Sequence, residues 1–203
     1  NIAVEILLYL VELGINKENI YVTLNETDDG KDNWQRSLLK KANELNIKVN
    51  TLEDSYCIDN LLFISLEFDR IVNPNKFKTD KLFNIHFSLL PKYKGMFTSI
   101  LPILNNEKTT GVTFHKIDKG IDTGNIISQK EFEIDFMDNS RDIYHKYIKN
   151  GISLVKECLN KILQNQFFEE KEQDLYNSTY FSKQSIDFKN IQIDLNQTAI
   201  GIH

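Results

Sequence analysis

LLFISL, residues 61–66, and LFNIHFS, residues 82–88, are the two stretches on which the fold turns. The first is a continuous apolar run, the pattern of a parallel strand buried on both faces. The second alternates. Side chains two apart in an extended strand share a face, so Asn84 and His86 point into one space while Ile85 and Phe87 face the other way.

Working outward, helical and strand patterns alternate. Ile2–Leu13 reads as an amphipathic helix closed by Gly14. Asn19–Leu24 reads as a strand. TDDGKDN is turn chemistry, with Asp32 or Asn33 capping a helix through WQRSLLKKANEL. Ile47–Val49 is a short strand and Leu52–Ile58 a weak helix. Beyond Pro91 the pattern predicts a helix over Met96–Leu104, a strand at GVTFHKI and another at NIISQKEFEI. A long helix opens at Ser140, its apolar stripe running through Ile143, Tyr147, Ile148, Ile152, Val155 and Leu159. LYNSTYF is a candidate strand, and TAIGIH at the end reads as a helix barely begun. This order implies an α/β, Rossmann-like fold: a mostly parallel sheet with an antiparallel extension, flanked by helices. A doubly wound domain normally starts with a strand, so the expectation is a further strand before Asn1 and further material after His203. The expected division is a catalytic domain over 1–166 and a C-terminal extension over 167–203 that begins a smaller region.

With 203 residues and 41 % apolar content, one globular domain with a short appendage is expected. The net charge of -5 supplies no basic field to hold a nucleic acid. Cys57 and Cys158 lie far apart and form no metal or redox spacing, which reads as free thiols in a reducing cytoplasm and no metal. No apolar run approaches the roughly 18 residues of a membrane span, and no signal-peptide pattern opens the chain.

The chemistry-bearing residues lie between 84 and 122. An amide and an imidazole stand side by side at Asn84 and His86, and a carboxylate, Asp122, follows 36 positions after the histidine. An amide can donate to an oxyanion, an imidazole can carry a proton near neutral pH, and a carboxylate can orient or charge it. DKGIDTG also suits a plain hairpin, with Asp118 as a turn former. His115 suits a cavity wall or a support role in the sheet equally. Lys92, Tyr93 and Lys94 suit contact with a diphosphate or with water. Trp34, Gln35 and Arg36, at the expected start of a helix, suit an anion-facing position or a solvated face.

With these residues in order, the chain resembles the folate-dependent formyltransferases. The shared signature is an N-x-H strand running into SLLPxYxG, then GVTxH, then DxG. Asn84, His86, Ser88-Leu89-Leu90-Pro91, Tyr93, Gly95, Gly111-Val112-Thr113, His115, Asp122 and Gly124 match it in sequence order. Phe87, the stretch KGMFTS, LEFDRIV and STYFSKQSIDF are most similar to enzymes that formylate an amino group on a dTDP-linked dideoxysugar. The resemblance implies 10-formyltetrahydrofolate as co-substrate and a 4-amino-4,6-dideoxyglucose or its 3-amino isomer as acceptor, acting in a homodimer. It implies Asn84 as oxyanion donor, His86 as proton carrier and Asp122 as its tuner, with the emphasis on Asp122 as base left open. Folate contacts are expected from Leu66, Glu67, Phe68 and Asp69 and from Lys119, Gly120 and Ile121. Acceptor contacts are expected from Lys92, Tyr93, Lys94, Met96 and Thr98. Alternative readings are a glycinamide ribonucleotide formyltransferase, a formyltetrahydrofolate hydrolase and a non-catalytic binder. The acidic charge disfavours a tRNA acceptor.

Overall fold

Asn1 starts the first helix, because its side-chain oxygen accepts the Ala3 amide at 2.9 Å. The computed structural model describes residues 1–189, 192 and 196; the expected helix start at TAIGIH lies outside them. Helix α1 (Ile2–Glu12) buries Ile2, Val4, Ile6 and Leu7, and Gly14 ends the turn with φ +75°. Strand β1 is only Tyr21–Val22, shorter than the expected Asn19–Leu24, because Asn16 caps a 3-10 turn over Lys17–Asn19.

Helix α2 (Leu38–Leu45) starts four residues later than an Asn33 cap would place it, and Trp34, Gln35 and Arg36 lie outside it. The reason is a carboxylate. Asp28 accepts the Leu38 and Leu39 amides at 2.8 and 3.0 Å and the Ser37 hydroxyl, while Asp32 accepts the Ser37 amide at 2.9 Å. These bonds fold 28–36 into turns and fill the helix N-terminus from within the chain, which speaks against the anion-facing alternative for Trp34, Gln35 and Arg36.

Strand β2 (Lys48–Val49) and helix α3 (Leu52–Tyr56) follow, the latter held by a Thr51–Asp54 capping box. Then come β3 (Phe63–Leu66), β4 (Leu82–His86), the two-residue β5 (Lys94–Gly95) and a single helical turn, α4 (Leu101–Leu104). The helix expected from Met96 is cut short. Phe97 takes φ +61°, and the Tyr147 hydroxyl draws off the Thr98 carbonyl at 2.9 Å. The antiparallel pair β6 (Thr109–Lys116) and β7 (Ile126–Glu133) leads into α5 (Ser140–Leu163), which an Asn139–Asp142 capping box opens. LYNSTYF contributes only Tyr180 and Phe181 to strand β8 (Tyr180–Phe181).

The main sheet has the order β3-β4-β6-β7, with β3 parallel to β4 and the other pairs antiparallel. β1 pairs β2 in parallel, and β8 returns to pair β5 in parallel. Helix α5 packs its stripe on one face of the main sheet, where Ile85, Phe87 and Phe114 meet Ile143, Tyr147 and Val155. Phe87 stacks on Tyr147 with centroids 5.2 Å apart, and Phe83 on Phe114 at 5.1 Å. Each such side chain, fully buried, contributes about 1.5–3 kcal/mol. That face therefore fixes the register of β4 and sends Asn84 and His86 to the opposite one.

Leu61–Leu66 departs from its expected burial on both faces. Only Ser65 in that stretch is buried, the rest being partly exposed. Among the described residues, β1 and β3 each pair on one side only, and their free edges border a common cavity of about 890 Å3. Ile6, Leu10, Val22, Ile64, Leu66 and Tyr144 are among its walls.

Candidate active site

The site grows from strand register. Antiparallel pairing of β4 with β6 sets Asn84 opposite His115 and His86 opposite Thr113. Directly opposed residues share a face, so His115 joins Asn84 on the polar side. The loop between β6 and β7 then returns Asp122 to the same place. Asp118 shapes that loop by accepting the Gly120 amide at 3.0 Å and the Thr123 hydroxyl at 2.6 Å, a turn former as expected. Asp122 itself sits at φ +54°.

Four polar side chains meet there. Asn84 Nδ2 lies 3.1 Å from His115 Nε2 and 3.3 Å from Asp122 Oδ1. Asp122 Oδ2 lies 3.4 Å from His86 Nδ1 and accepts the Gly95 amide at 2.9 Å. His86 Nε2 is 2.8 Å from the Tyr93 carbonyl, and His115 Nδ1 is 2.7 Å from the Lys116 carbonyl. A carbonyl only accepts, so His86 carries its hydrogen on Nε2 and His115 on Nδ1. His86 Nδ1 is thereby bare and faces the carboxylate. Both amide hydrogens of Asn84 are engaged, and the longer bond, to Asp122, is the one open to exchange.

Burial pushes the Asp122 carboxyl upward, but the His86 and His115 rings and the Gly95 amide outweigh it and hold its pKa at about 2. Asp122 is ionised at neutral pH. For His86 burial dominates in the other direction. Desolvation, helped by His115 and Lys94, pulls its pKa below the ordinary 6.5 against the opposing pull of Asp122 and the Tyr93 carbonyl. The His86 side chain is 8 % exposed and the Asp122 side chain 12 %, so the pair is nearly desolvated yet keeps an opening to solvent. A neutral imidazole beside a fixed carboxylate can accept a proton and be stabilised once charged.

The remaining sequence-derived residues divide. Leu66, Glu67 and Phe68 border the large cavity. Glu67 takes φ +55°, and Asn25 fastens the turn by donating to its carbonyl at 2.9 Å and accepting the Asp69 amide at 3.2 Å. The Glu67 carboxyl, pushed up by burial, accepts the Tyr144 hydroxyl at 2.8 Å. Asp69 instead accepts the Glu26 amide at 3.1 Å. Lys119, Gly120 and Ile121 are exposed and take no part in the walls of that cavity. Neither do Asn84, His86 and Asp122: this cavity and the polar cluster are different places.

Of the expected acceptor residues, Lys92 is exposed and 3.5 Å from Glu107, and Met96 is 45 % exposed. Tyr93 is buried, its hydroxyl bound to Glu107 and Asn105 at 2.8 and 3.0 Å. Lys94 is buried, at 3 % exposure, rather than facing water, because it lies in β5 beneath β8. Thr98 contributes its carbonyl to Tyr147. His115 is the residue whose weight the sequence understated. The N-x-H alternation marks β4 alone, and only the β4–β6 register places His115 beside Asn84. Among the described residues no group of three or more His, Cys, Asp or Glu side chains is placed to hold a metal, and no helix is long and apolar enough to cross a membrane.

Comparison with known proteins gives a consistent answer. The pattern of the family described as formyl transferase matches residues 60–159. An N-formyltransferase from Helicobacter canadensis, solved with folinic acid and dTDP-3-aminofucose, is 49 % identical over all of this chain and 74 % of its own, with a TM-score of 0.96. WlaRD, a sugar 3N-formyl transferase solved with dTDP and 5-N-formyl-THF, is 48 % identical over all of this chain and 73 % of its own, with a TM-score of 0.95. Among curated proteins, the bifunctional polymyxin resistance protein ArnA of Wigglesworthia glossinidia brevipalpis is 37 % identical over 70 % of this chain. A methionyl-tRNA formyltransferase of Fervidobacterium nodosum is 36 % identical over 60 %. The aligned stretch spans 22 % and 37 % of the length of those two curated relatives. Residues 84–124, which build the polar corner, fall inside the matched family region, and the chain belongs to the formyltransferase family, among the sugar N-formyltransferases.

Proposed function

We propose that this protein transfers the formyl group of 10-formyltetrahydrofolate to the amino group of a dTDP-linked amino-dideoxysugar. The observation that carries this is the convergence of Asn84, His86 and Asp122 within 3.4 Å contacts at the end of β4. The ligands named with the two relatives of 48–49 % identity support the donor and acceptor classes and favour the 3-amino isomer of the sugar.

The chemistry follows from the atoms. The sugar amine attacks the formyl carbon, and a C–N bond forms as the carbonyl oxygen becomes an oxyanion. Asn84 donates to that oxyanion with the hydrogen now shared with Asp122. His86 takes the amine proton on the bare Nδ1, becoming an imidazolium that Asp122 faces. Collapse breaks the bond to the folate N10, which takes that proton from the His86 imidazolium, so that amine and formyl-folate become formamide and tetrahydrofolate and His86 is neutral again. A single oxyanion donor is worth about 3–4 kcal/mol in well-studied hydrolases, and each pKa unit supplied by Asp122 is about 1.4 kcal/mol.

The organisation proposed alongside has residues 1–166 as the catalytic domain and 167–203 as the beginning of a smaller region, with a further strand before Asn1 seated between β1 and β3. Support comes from the apolar run 61–66, which suits a strand covered on both sides. A cytoplasmic homodimer is proposed as well. Two free thiols and the exposed Phe167, Leu175 and Tyr176 on the extension support it.

The test is an acceptor panel. With 10-formyltetrahydrofolate, tetrahydrofolate should appear only when a dTDP-aminosugar is added. Release with no amine present would make the protein a hydrolase, and release with glycinamide ribonucleotide alone would replace the sugar as acceptor.

A further inference from the structure

A segment far along the chain grips the two backbone groups that brace the polar corner. The Tyr93 carbonyl holds His86 Nε2 and the Gly95 amide holds Asp122 Oδ2. Both peptides belong to the stretch 91–96, and residues 179–181 bind that stretch along its length. The Thr179 amide donates to the Pro91 carbonyl at 3.2 Å, and the Lys94 amide to the Thr179 carbonyl at 2.9 Å. The Met96 amide donates to the Phe181 carbonyl at 2.9 Å. The Tyr93 amide donates to the Thr179 hydroxyl at 2.7 Å, and the Phe181 ring stacks on the Tyr93 ring, centroids 5.7 Å apart. Tyr93 has φ +58°, a left-handed backbone that a residue with a bulky side chain keeps only when its surroundings hold it there.

The grip bears on the tautomer of His86. The charged and titratable groups facing this ring are Asp122, His115 and Lys94. Left to itself, a neutral imidazole beside an ionised carboxylate puts its hydrogen on the nitrogen nearest that carboxylate, here Nδ1. The Tyr93 carbonyl opposes this by claiming the hydrogen for Nε2. We propose that residues 179–181 clamp the left-handed Tyr93 peptide and thereby keep His86 Nδ1 bare, making Thr179 and Tyr93 positioning residues for the proton acceptor. The rate consequence rests on the proposed formyl transfer; the tautomer itself does not.

The test uses Thr179→Val, which removes the hydroxyl acceptor, with Thr179→Ser as the conservative control. Imidazole 15N NMR without substrate reads the tautomer, and tetrahydrofolate release across pH reads the rate. Thr179→Val should move the His86 signals toward the Nδ1–H form and lower kcat about tenfold, with KM for the acceptor within about twofold, and Thr179→Ser should restore both. Wild-type ring signals in Thr179→Val, or equal losses in the Val and Ser variants, would overturn the clamp. Should Thr179→Val not fold, Phe181→Leu removes the ring stack, keeps the backbone bonds and is read the same way. A wild-type protein that transfers no formyl group would defeat the proposed reaction while the NMR arm still judged the clamp.

Discussion

At the end of β4, Asn84, His86, His115 and Asp122 gather at contacts of 3.1–3.6 Å, whereas between β1 and β3 a cavity of about 890 Å3 is bordered by strand edges that, among the described residues, pair on one side only. The first is polar and nearly buried; the second is large, and its walls mix apolar side chains of the hydrophobic clusters with polar ones such as Asp28, Arg36 and Glu67. Size alone would choose the second as the reactive site. Chemistry favours the first, because there, among the described residues, a bare imidazole nitrogen and an ionised carboxylate face each other in a desolvated place. A large cavity and a cluster of chemically suited groups thus need not coincide, even one strand apart.

The hardest blow to this contrast is His86→Ala. It should lower kcat/KM for acceptor-dependent tetrahydrofolate release by about 10³–10⁴, and turnover within tenfold of wild type would remove the polar corner from the mechanism. Asp122→Asn should cost about 10² and also move the pH profile. The Asp122 charge raises the His86 pKa, so its loss should carry the acid limb, already below pH 6.5 in the wild type, further down. An acid limb that rises instead would contradict the assigned roles.

The cavity side is sharpened by amide exchange. β3 gives its Phe63 amide to the Lys81 carbonyl on the β4 side, and parallel strands alternate, so Ile64 and Leu66 turn theirs to the cavity. With a strand seated there, exchange at these two amides should slow about 10²-fold relative to the 203-residue chain. Equal rates would leave the edge open. Gly95→Ala should destabilise the fold by about 2–3 kcal/mol in urea unfolding. The position has φ +85°, and a Cβ there would stand 2.2 Å from the Phe181 carbonyl oxygen. Arg36→Ala should be the mildest, within about 0.5 kcal/mol, since its ion pair with Glu5 is exposed. A rise in acceptor KM with this variant would return Arg36 to the site.

How legible this was in the sequence depended on the range of the interaction involved. Asn84 and His86 followed from two-residue alternation, and Asp122 from the ordered motif. His115 carried the same motif, but its pairing with Asn84 needed the β4–β6 register, which spans 31 positions. The start of α2 was hidden because Asp28 reaches forward ten and eleven residues to cap it, a bond that propensity does not encode. The helix expected from Met96 failed for a similar reason, since a tyrosine 49 positions away takes the Thr98 carbonyl. In LLFISL the continuous apolar run suggests a strand buried on both faces, whereas β3 is partly exposed, because burial depends on what packs over a strand and not on its composition alone.

The stitching of residues 179–181 onto residues 91–96 has a practical side for anyone building hybrid enzymes. A graft that joins one relative's C-terminal portion to another's catalytic half, made to change sugar preference, cuts across the support of the imidazole if the junction falls before Thr179. Junctions placed after Phe181 keep the stitched contacts between the two segments native.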